Sequence, residues 1–160
     1  MPLMNNVKKQ ILEAMVGYGA GASTNYGILR GTRYTLALFT NASVESVEDA
    51  TQFIEPSSGN NYAREQIGIQ TQSTTVSDDY FGAAQVDSQT GKVYITNSKE
   101  IKFNRASGDW GTIKYFGLFM DSTLIGWGEF VDSNGDPTTM TVTSGQAVHI
   151  LTGECKLYFN

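Results

Sequence analysis

The chain has 160 residues, of which 17% are charged and 40% hydrophobic, and its formal net charge is −5. This length fits one core, so we predict a single domain over residues 1–160. The 11 lysine and arginine residues are scattered and no apolar run is long enough to span a bilayer, so we expect neither nucleic acid nor a membrane as a partner.

The first element that the sequence predicts is a short helix over residues 5–16. Val7, Ile11 and Met15 recur there at helical spacing, and Gly17 ends the pattern. A helix of this length needs something to dock on. It is either a lid over an open end of a sheet or a docking element for a neighbouring subunit, and its three apolar residues are candidate subunit contacts.

A glycine-rich loop follows at residues 17–32, and it carries Tyr18 and Tyr26. It lacks the spacing of a phosphate-binding loop. Tyr80 and Phe81 form a second aromatic pair in a segment without a clear strand pattern. We interpret these four rings as candidate subunit contacts, or alternatively as rings that stack on a sugar.

From residue 33 onward, short alternating stretches are separated by turn residues. The predicted strands are 33–39, 62–69, 92–96, 98–103, 112–120, 124–130, 139–144, 147–151 and 154–159. Residues 43–59 are expected to form an acidic, solvated loop. The pattern is typical of an all-β fold, and we predict an antiparallel, jelly-roll-like β-sandwich over residues 33–159 with the short N-terminal α-helix before it.

Trp127 stands between Gly126 and Gly128 inside a predicted strand. Glycine within a strand indicates a bulge or a close approach of another backbone. The alternative is that Trp127 packs tightly in the core and needs the space that its small neighbours leave.

The sequence offers little material for catalysis. His149 is the only histidine and Cys155 the only cysteine, so a zinc site lacks ligands and a hydrolytic triad has no recognisable nucleophile. We expect His149 at an edge or on the surface and Cys155 buried as a small apolar residue. The acidic residues around Asn134 fit a hairpin turn better than a calcium loop. We therefore predict no enzyme activity, no catalytic residues, no cofactor and no bound metal.

Six segments occur in a characteristic order along the chain. They are Tyr34–Thr40, Tyr62–Arg64, Ser98–Phe103, Gly108–Phe119, Leu124–Gly128 and Val142–Gly145. In this order the chain resembles small virion structural proteins of tailed bacteriophages, a group that includes head decoration or cement proteins and tail- or fibre-associated proteins. The resemblance extends over most of residues 5–159 and is densest over 98–128.

The resemblance implies a part of the virion, assembled in the cytoplasm of the host bacterium, and it brings no catalytic residues. Our first expectation is a capsid decoration or cement protein that stabilises the head as a homotrimer bound to the major capsid protein. A tail, baseplate or fibre-adaptor protein is the first alternative, and a carbohydrate-binding module for host attachment is the second. Self-association also has a physical motive, because the open edges of a sandwich need cover.

Overall fold

The computed structural model describes residues 33–40, 53–69, 81–130, 132 and 136–159, together with Asn5, Lys8, Lys9 and Ile11. Strands dominate the described ranges, and their registered pairs are antiparallel. The prediction of an all-β, antiparallel fold is confirmed. The sandwich or jelly-roll arrangement stays a prediction.

The predicted N-terminal helix falls largely outside the described residues. Asn5, Lys8, Lys9 and Ile11 have helical backbone, and Ile11 is half-buried. The helix over 5–16 as a whole stays a prediction. No helix in the described part of the chain has the length and apolar character of a membrane span.

The strands are short, and most lie where alternation predicts them. Their bounds are β1 Arg33–Phe39, β2 Glu65–Ile69, β3 Gln85–Val86, β4 Val93–Thr96, β5 Ile101–Lys102, β6 Gly111–Ile113, β7 Tyr115–Met120, β8 Thr123–Glu129, β9 Met140–Val142, β10 His149–Ile150 and β11 Lys156–Phe159. A 3-10 turn spans Ser58–Asn60. The predicted strand 112–120 is wrong as one element, because the chain changes partner at Lys114: β6 pairs with β9, whereas β7 pairs with β8.

The chain divides into two compact units. Unit 1 comprises Met1–Tyr34, Gln66–Ile101 and Ile150–Asn160, and unit 2 comprises Thr35–Glu65 and Lys102–His149. The assignment of residues 1–160 to one domain stays a prediction.

Unit 1 contains a three-stranded antiparallel sheet in which β4 lies between β3 and β11. Val93 and Ile95 on β4 are fully buried, and they alternate with half-buried Tyr94 and Thr96. This alternation is typical of a strand that packs against the core with one face, because successive side chains point to opposite sides.

A buried asparagine organises the end of this sheet. Asn97 is 1% exposed, and its side-chain amide donates to the carbonyl oxygens of Lys99 and Leu151, each at 2.8 Å. Its side-chain oxygen accepts from the backbone amides of Gly153 at 3.1 Å and Cys155 at 2.9 Å. The two ends of one amide thereby hold the turn before β11 against the end of β4, and the buried polar group is satisfied on both sides.

In unit 2 the sheet order places β7 between β1 and β8, and β7 and β8 form the hairpin that the sequence predicts. All residues of β7 except Met120 are buried. β8 is half-buried over Leu124–Glu129. The strong apolar run of β7 therefore reflects a central strand with both faces covered.

The turn before β6 lies within residues 98–128, where the resemblance to the phage proteins is densest. Buried Trp110 donates from its indole nitrogen to the carbonyl oxygen of Asn60 at 2.8 Å, and its ring packs on Tyr62 with centroids 5.3 Å apart. Asn60 in turn donates to the carbonyl oxygen of Asp109 at 2.7 Å, and the Asp109 carboxylate accepts from the amide of Ser144 at 3.1 Å. These contacts join sequence-distant loops, so the motif is explained by folding within unit 2.

Candidate functional site

Aromatic residues cover one face of the unit 2 sheet. Four buried residues form a cluster, and three half-buried residues pack against it: Ala37, Phe39, Tyr115 and Phe119, then Phe53, Leu124 and Trp127. Phe53 stacks on Phe39 with ring centroids 4.3 Å apart, and it lies 5.4 Å from Trp127. Since Phe53 and Trp127 keep part of their surface exposed, aromatic surface is accessible at this face.

Glycine on β7 makes this packing possible. Gly117 is the cross-strand partner of Trp127, and a Cβ atom there would lie 2.5 Å from the Phe39 ring and 2.8 Å from Leu124. On the other face, a Cβ at Gly128 would lie 2.6 Å from the ring of Phe116. A side chain at either position would displace a packed neighbour.

The glycines around Trp127 thus have two different roles. The sequence predicts a close approach of another backbone, but the group that approaches Gly128 is the ring of Phe116, whereas a Cβ at Gly126 would meet nothing within 4 Å. The register between β7 and β8 also shifts between Leu118 and Phe119, which is the irregularity that the glycines predict. Trp127 itself is half-buried, so the interpretation as a tightly packed core residue is wrong in its degree of burial.

Tyr115 links the half-buried Trp127 ring to a pair of charged groups. Glu129 pairs with Tyr115 across the hairpin and stands two residues from Trp127, on the same side of β8. Lys114 Nζ lies 3.3 Å from Glu129 Oε1 and 5.1 Å from the centre of the Tyr115 ring. Hydrogen bonding to the side chains of Tyr115 and Glu129 raises the pKa of Lys114, so the ammonium is charged at neutral pH. We call Phe53, Lys114, Tyr115, Trp127 and Glu129 the Trp127 site.

A second ion pair closes the opposite end of the aromatic cluster. Arg64 donates to Glu55 through both Nε and Nη2, and its guanidinium lies 3.5 Å from the centre of the Phe119 ring. The Tyr62 hydroxyl accepts from the amide of Leu38 at 2.9 Å, and burial raises the pKa of this phenol, so it stays neutral. The planar guanidinium combines a bidentate ion pair with stacking on an aromatic face. The contacts at this end of the cluster therefore stabilise the fold of unit 2.

The structure tests few of the predicted contact residues directly. Val7, Met15, Tyr18, Tyr26 and Tyr80 lie outside the described residues. Phe81 is 2% exposed, and its backbone forms an isolated antiparallel bridge with Asn97. The Phe81 side chain is therefore buried within the chain.

His149 and Cys155 lie in different surroundings, one exposed and the other buried. His149 is exposed and borders a groove of about 380 Å³, lined also by Met140, Gln146 and Val148. Cys155 is 3% exposed, and burial raises the pKa of its thiol to about 12, which suppresses the reactive thiolate. Among the described residues, no three His, Cys, Asp or Glu side chains are grouped as a metal site.

The Trp127 site was not predicted, although the sequence contains indications of it. Trp127 and Glu129 share a strand face by simple alternation. Lys114 interrupts an otherwise apolar run, and this charge marks the change of strand partner. Phe53 stands in the segment expected to be a solvated loop, yet its ring packs on the ring of Phe39.

Comparison with known proteins gives one family. The sequence profile of the family described as "Podophage GP4 fiber I protein gp80" matches residues 8–158. No curated protein and no solved structure matches the chain. The resemblance to virion structural proteins of tailed phages is thereby confirmed, and with nearly the whole length matched the chain belongs to the podophage GP4 fiber I protein gp80 family.

Proposed function

We propose that the protein is a structural component of the phage tail, positioned at a fibre or at the connection between a fibre and the tail. The observation that carries this proposal is the family match over residues 8–158, because the family is described by a fibre protein. That description favours the tail or fibre role over capsid decoration, for which it offers no support.

The described structure is consistent with a structural, non-catalytic role. Unit 2 is tied together by a bidentate ion pair and a continuous aromatic cluster, and unit 1 by a fully bonded buried asparagine. The buried thiol of Cys155 has a raised pKa and is a poor nucleophile. The proposal therefore includes the absence of enzyme activity and of cofactors.

The proposed partners are further copies of the same chain, as a homotrimer, and neighbouring tail proteins of the virion. Trimeric association suits a fibre because closed rotational symmetry covers identical surfaces on every copy. Contact with the major capsid protein belongs to the capsid alternative and would accompany a location on the head.

Electron cryomicroscopy of purified virions tests the proposal. We expect density for this chain on the tail or its fibres, in a low copy number set by tail symmetry. Quantitative mass spectrometry of the same particles supplies the independent copy number. Density on the head lattice, with a copy number in proportion to the major capsid protein, would overturn the tail assignment and restore capsid decoration.

Attachment to a carbohydrate on the host surface is a second candidate function. The specific observation in its favour is the Trp127 site, where a half-buried indole and a lysine–glutamate pair both adjoin Tyr115.

A further inference from the structure

The Trp127 site combines accessible aromatic surface with polar groups in fixed positions. Trp127 contacts Phe53 at 5.4 Å and Tyr115 at 5.5 Å between ring centroids, with interplanar angles of 58° and 85°. Because the Trp127 ring packs against two other rings, its side chain has few rotamers available even before a ligand binds. Binding to it therefore costs little further side-chain entropy.

The Lys114–Glu129 pair, which adjoins the Tyr115 ring, offers a donor and an acceptor at adjacent positions. Lys114 supplies N–H donors only, and the Glu129 carboxylate supplies acceptors only. Their polar atoms are 3.3 Å apart, and both side chains are about one-third exposed, at 29% and 32%. Two neighbouring hydroxyl groups of one molecule match this pair, because each hydroxyl can donate to the carboxylate or accept from the ammonium.

Charge narrows the class of ligand further. The Lys114 and Glu129 charges sum to zero, and the whole chain carries a formal net charge of −5. An anionic polymer would be repelled by the protein and would find only a lysine already occupied by Glu129. An uncharged ligand with an apolar face and vicinal hydroxyls satisfies the indole, the ammonium and the carboxylate together.

We infer that the Trp127 site binds a neutral saccharide, whose C–H face stacks on Trp127 while vicinal hydroxyls bond to Lys114 and Glu129. This inference deepens the second candidate function by naming its site and its ligand class, and it does not rest on the tail assignment. It is tested on the isolated protein, so its failure leaves the location on the virion untouched.

The first experiment is a direct binding measurement. The full chain is applied to a glycan array that holds neutral oligosaccharides and their sialylated counterparts, and hits are titrated by calorimetry. We expect binding to neutral glycans and weaker binding to the sialylated forms. Absence of binding to every neutral glycan, or a preference for the acidic ones, would overturn the inference.

Variants then assign the binding to the site. Trp127→Ala and Lys114→Met should each weaken the affinity for the neutral hit about tenfold or more, which corresponds to about 1.4 kcal/mol. The matched control is Lys156→Met, because Lys156 lies 5.5 Å from the Tyr94 ring in unit 1 and forms a similar cation–aromatic contact that involves none of the residues of the Trp127 site. Unchanged affinity in Lys114→Met and Trp127→Ala would contradict the assignment.

Fluorescence provides a readout that does not depend on the array. The chain has two tryptophans, and Trp110 is 4% exposed whereas Trp127 is half-buried. In a Trp110→Phe variant, the neutral saccharide should protect the remaining indole from acrylamide quenching. Native mass measurements on Trp127→Ala test whether a second copy of the chain occupies this face instead of a saccharide. If the substitution converts an oligomer to a monomer and no saccharide protects the indole, this face is a contact between copies and the inference is wrong.

Discussion

At the scale of single residues, Asn97 shows how one side chain can replace a stretch of regular structure. Its amide satisfies two carbonyl oxygens and two backbone N–H groups in a segment that has no strand ladder of its own. Three of these partners are 54 to 58 residues away in sequence. Local pattern therefore could not reveal the role of Asn97, although the preference of asparagine for turns is visible in the sequence.

Replacing this amide by a carboxylate tests the arrangement. Asn97→Asp places an oxygen against the carbonyl oxygens of Lys99 and Leu151, so we expect a loss of about 3 kcal/mol in the free energy of unfolding. Burial would raise the pKa of the introduced carboxyl in the folded state. The defect should therefore be smaller at pH 4, where the carboxyl is protonated, and grow as the pH rises to 7.

Urea denaturation at both pH values measures these free energies. Asn104→Asp is the matched control, because Asn104 is exposed and the same chemical change there meets solvent. Equal stability of the two variants at pH 7 would contradict the role assigned to Asn97.

Another residue-scale prediction concerns the Cys155 thiol, whose pKa burial raises to about 12 from an ordinary value near 8.5. A raised folded pKa stabilises the protein below the unfolded pKa, and this stabilisation is lost as the pH rises through the interval between the two values. We expect the free energy of unfolding to fall between pH 8.5 and 10 by up to about 1.4 kcal/mol per pH unit.

Denaturation across that pH interval provides the measurement, with Cys155→Ala as the control that should remove this part of the pH dependence. A maleimide should label Cys155 only when the fold opens. Rapid stoichiometric labelling of the native protein would show that the thiol is accessible and that the raised pKa is incorrect.

At the scale of elements, the β7–β8 hairpin shows what alternation and turn chemistry can predict. β1 has the predicted bounds, and β8 differs from its predicted range by one residue at each end. The break between β6 and β7 was missed because a change of strand partner leaves apolar periodicity almost intact on both sides of Lys114. The aromatic cluster was missed for a related reason: Phe53 reaches the sheet from a coil segment, where no periodicity identifies its buried face.

The two glycines of this hairpin support a matched stability comparison. Gly117→Ala would insert a Cβ between Phe39 and Leu124, so we expect a loss of about 2 kcal/mol. Gly126→Ala introduces the same methyl group in the same hairpin where nothing lies within 4 Å, and its effect should be below about 0.5 kcal/mol.

Chemical denaturation of both variants reports the difference directly. Because both substitutions change glycine to alanine within one hairpin, much of the effect on the unfolded chain is shared. If Gly126→Ala proved as damaging as Gly117→Ala, side-chain packing could not be the reason that glycine is needed at Gly117.

At the scale of the whole molecule, sequence reasoning succeeded for fold class and for the kind of particle, but its preferred location on that particle is not supported. The β content follows from local alternation, and the phage resemblance follows from segments such as Gly108–Phe119 that unit 2 uses for folding. The residues of this segment pack Trp110 within unit 2, so they carry information on the fold but none on where the protein docks. Head and tail proteins could therefore not be separated from those residues.

The pairing of β4 with β11 has a consequence for biosynthesis. β4 ends at Thr96, whereas β11 begins at Lys156, so a ribosome completes the first strand long before it supplies the second. During that interval the β4 edge lacks its antiparallel neighbour, and an unpaired edge is a template for another chain. Many copies translated in one infected cell would expose this edge together, so early release of nascent chains before Lys156 should favour aggregation over slow folding.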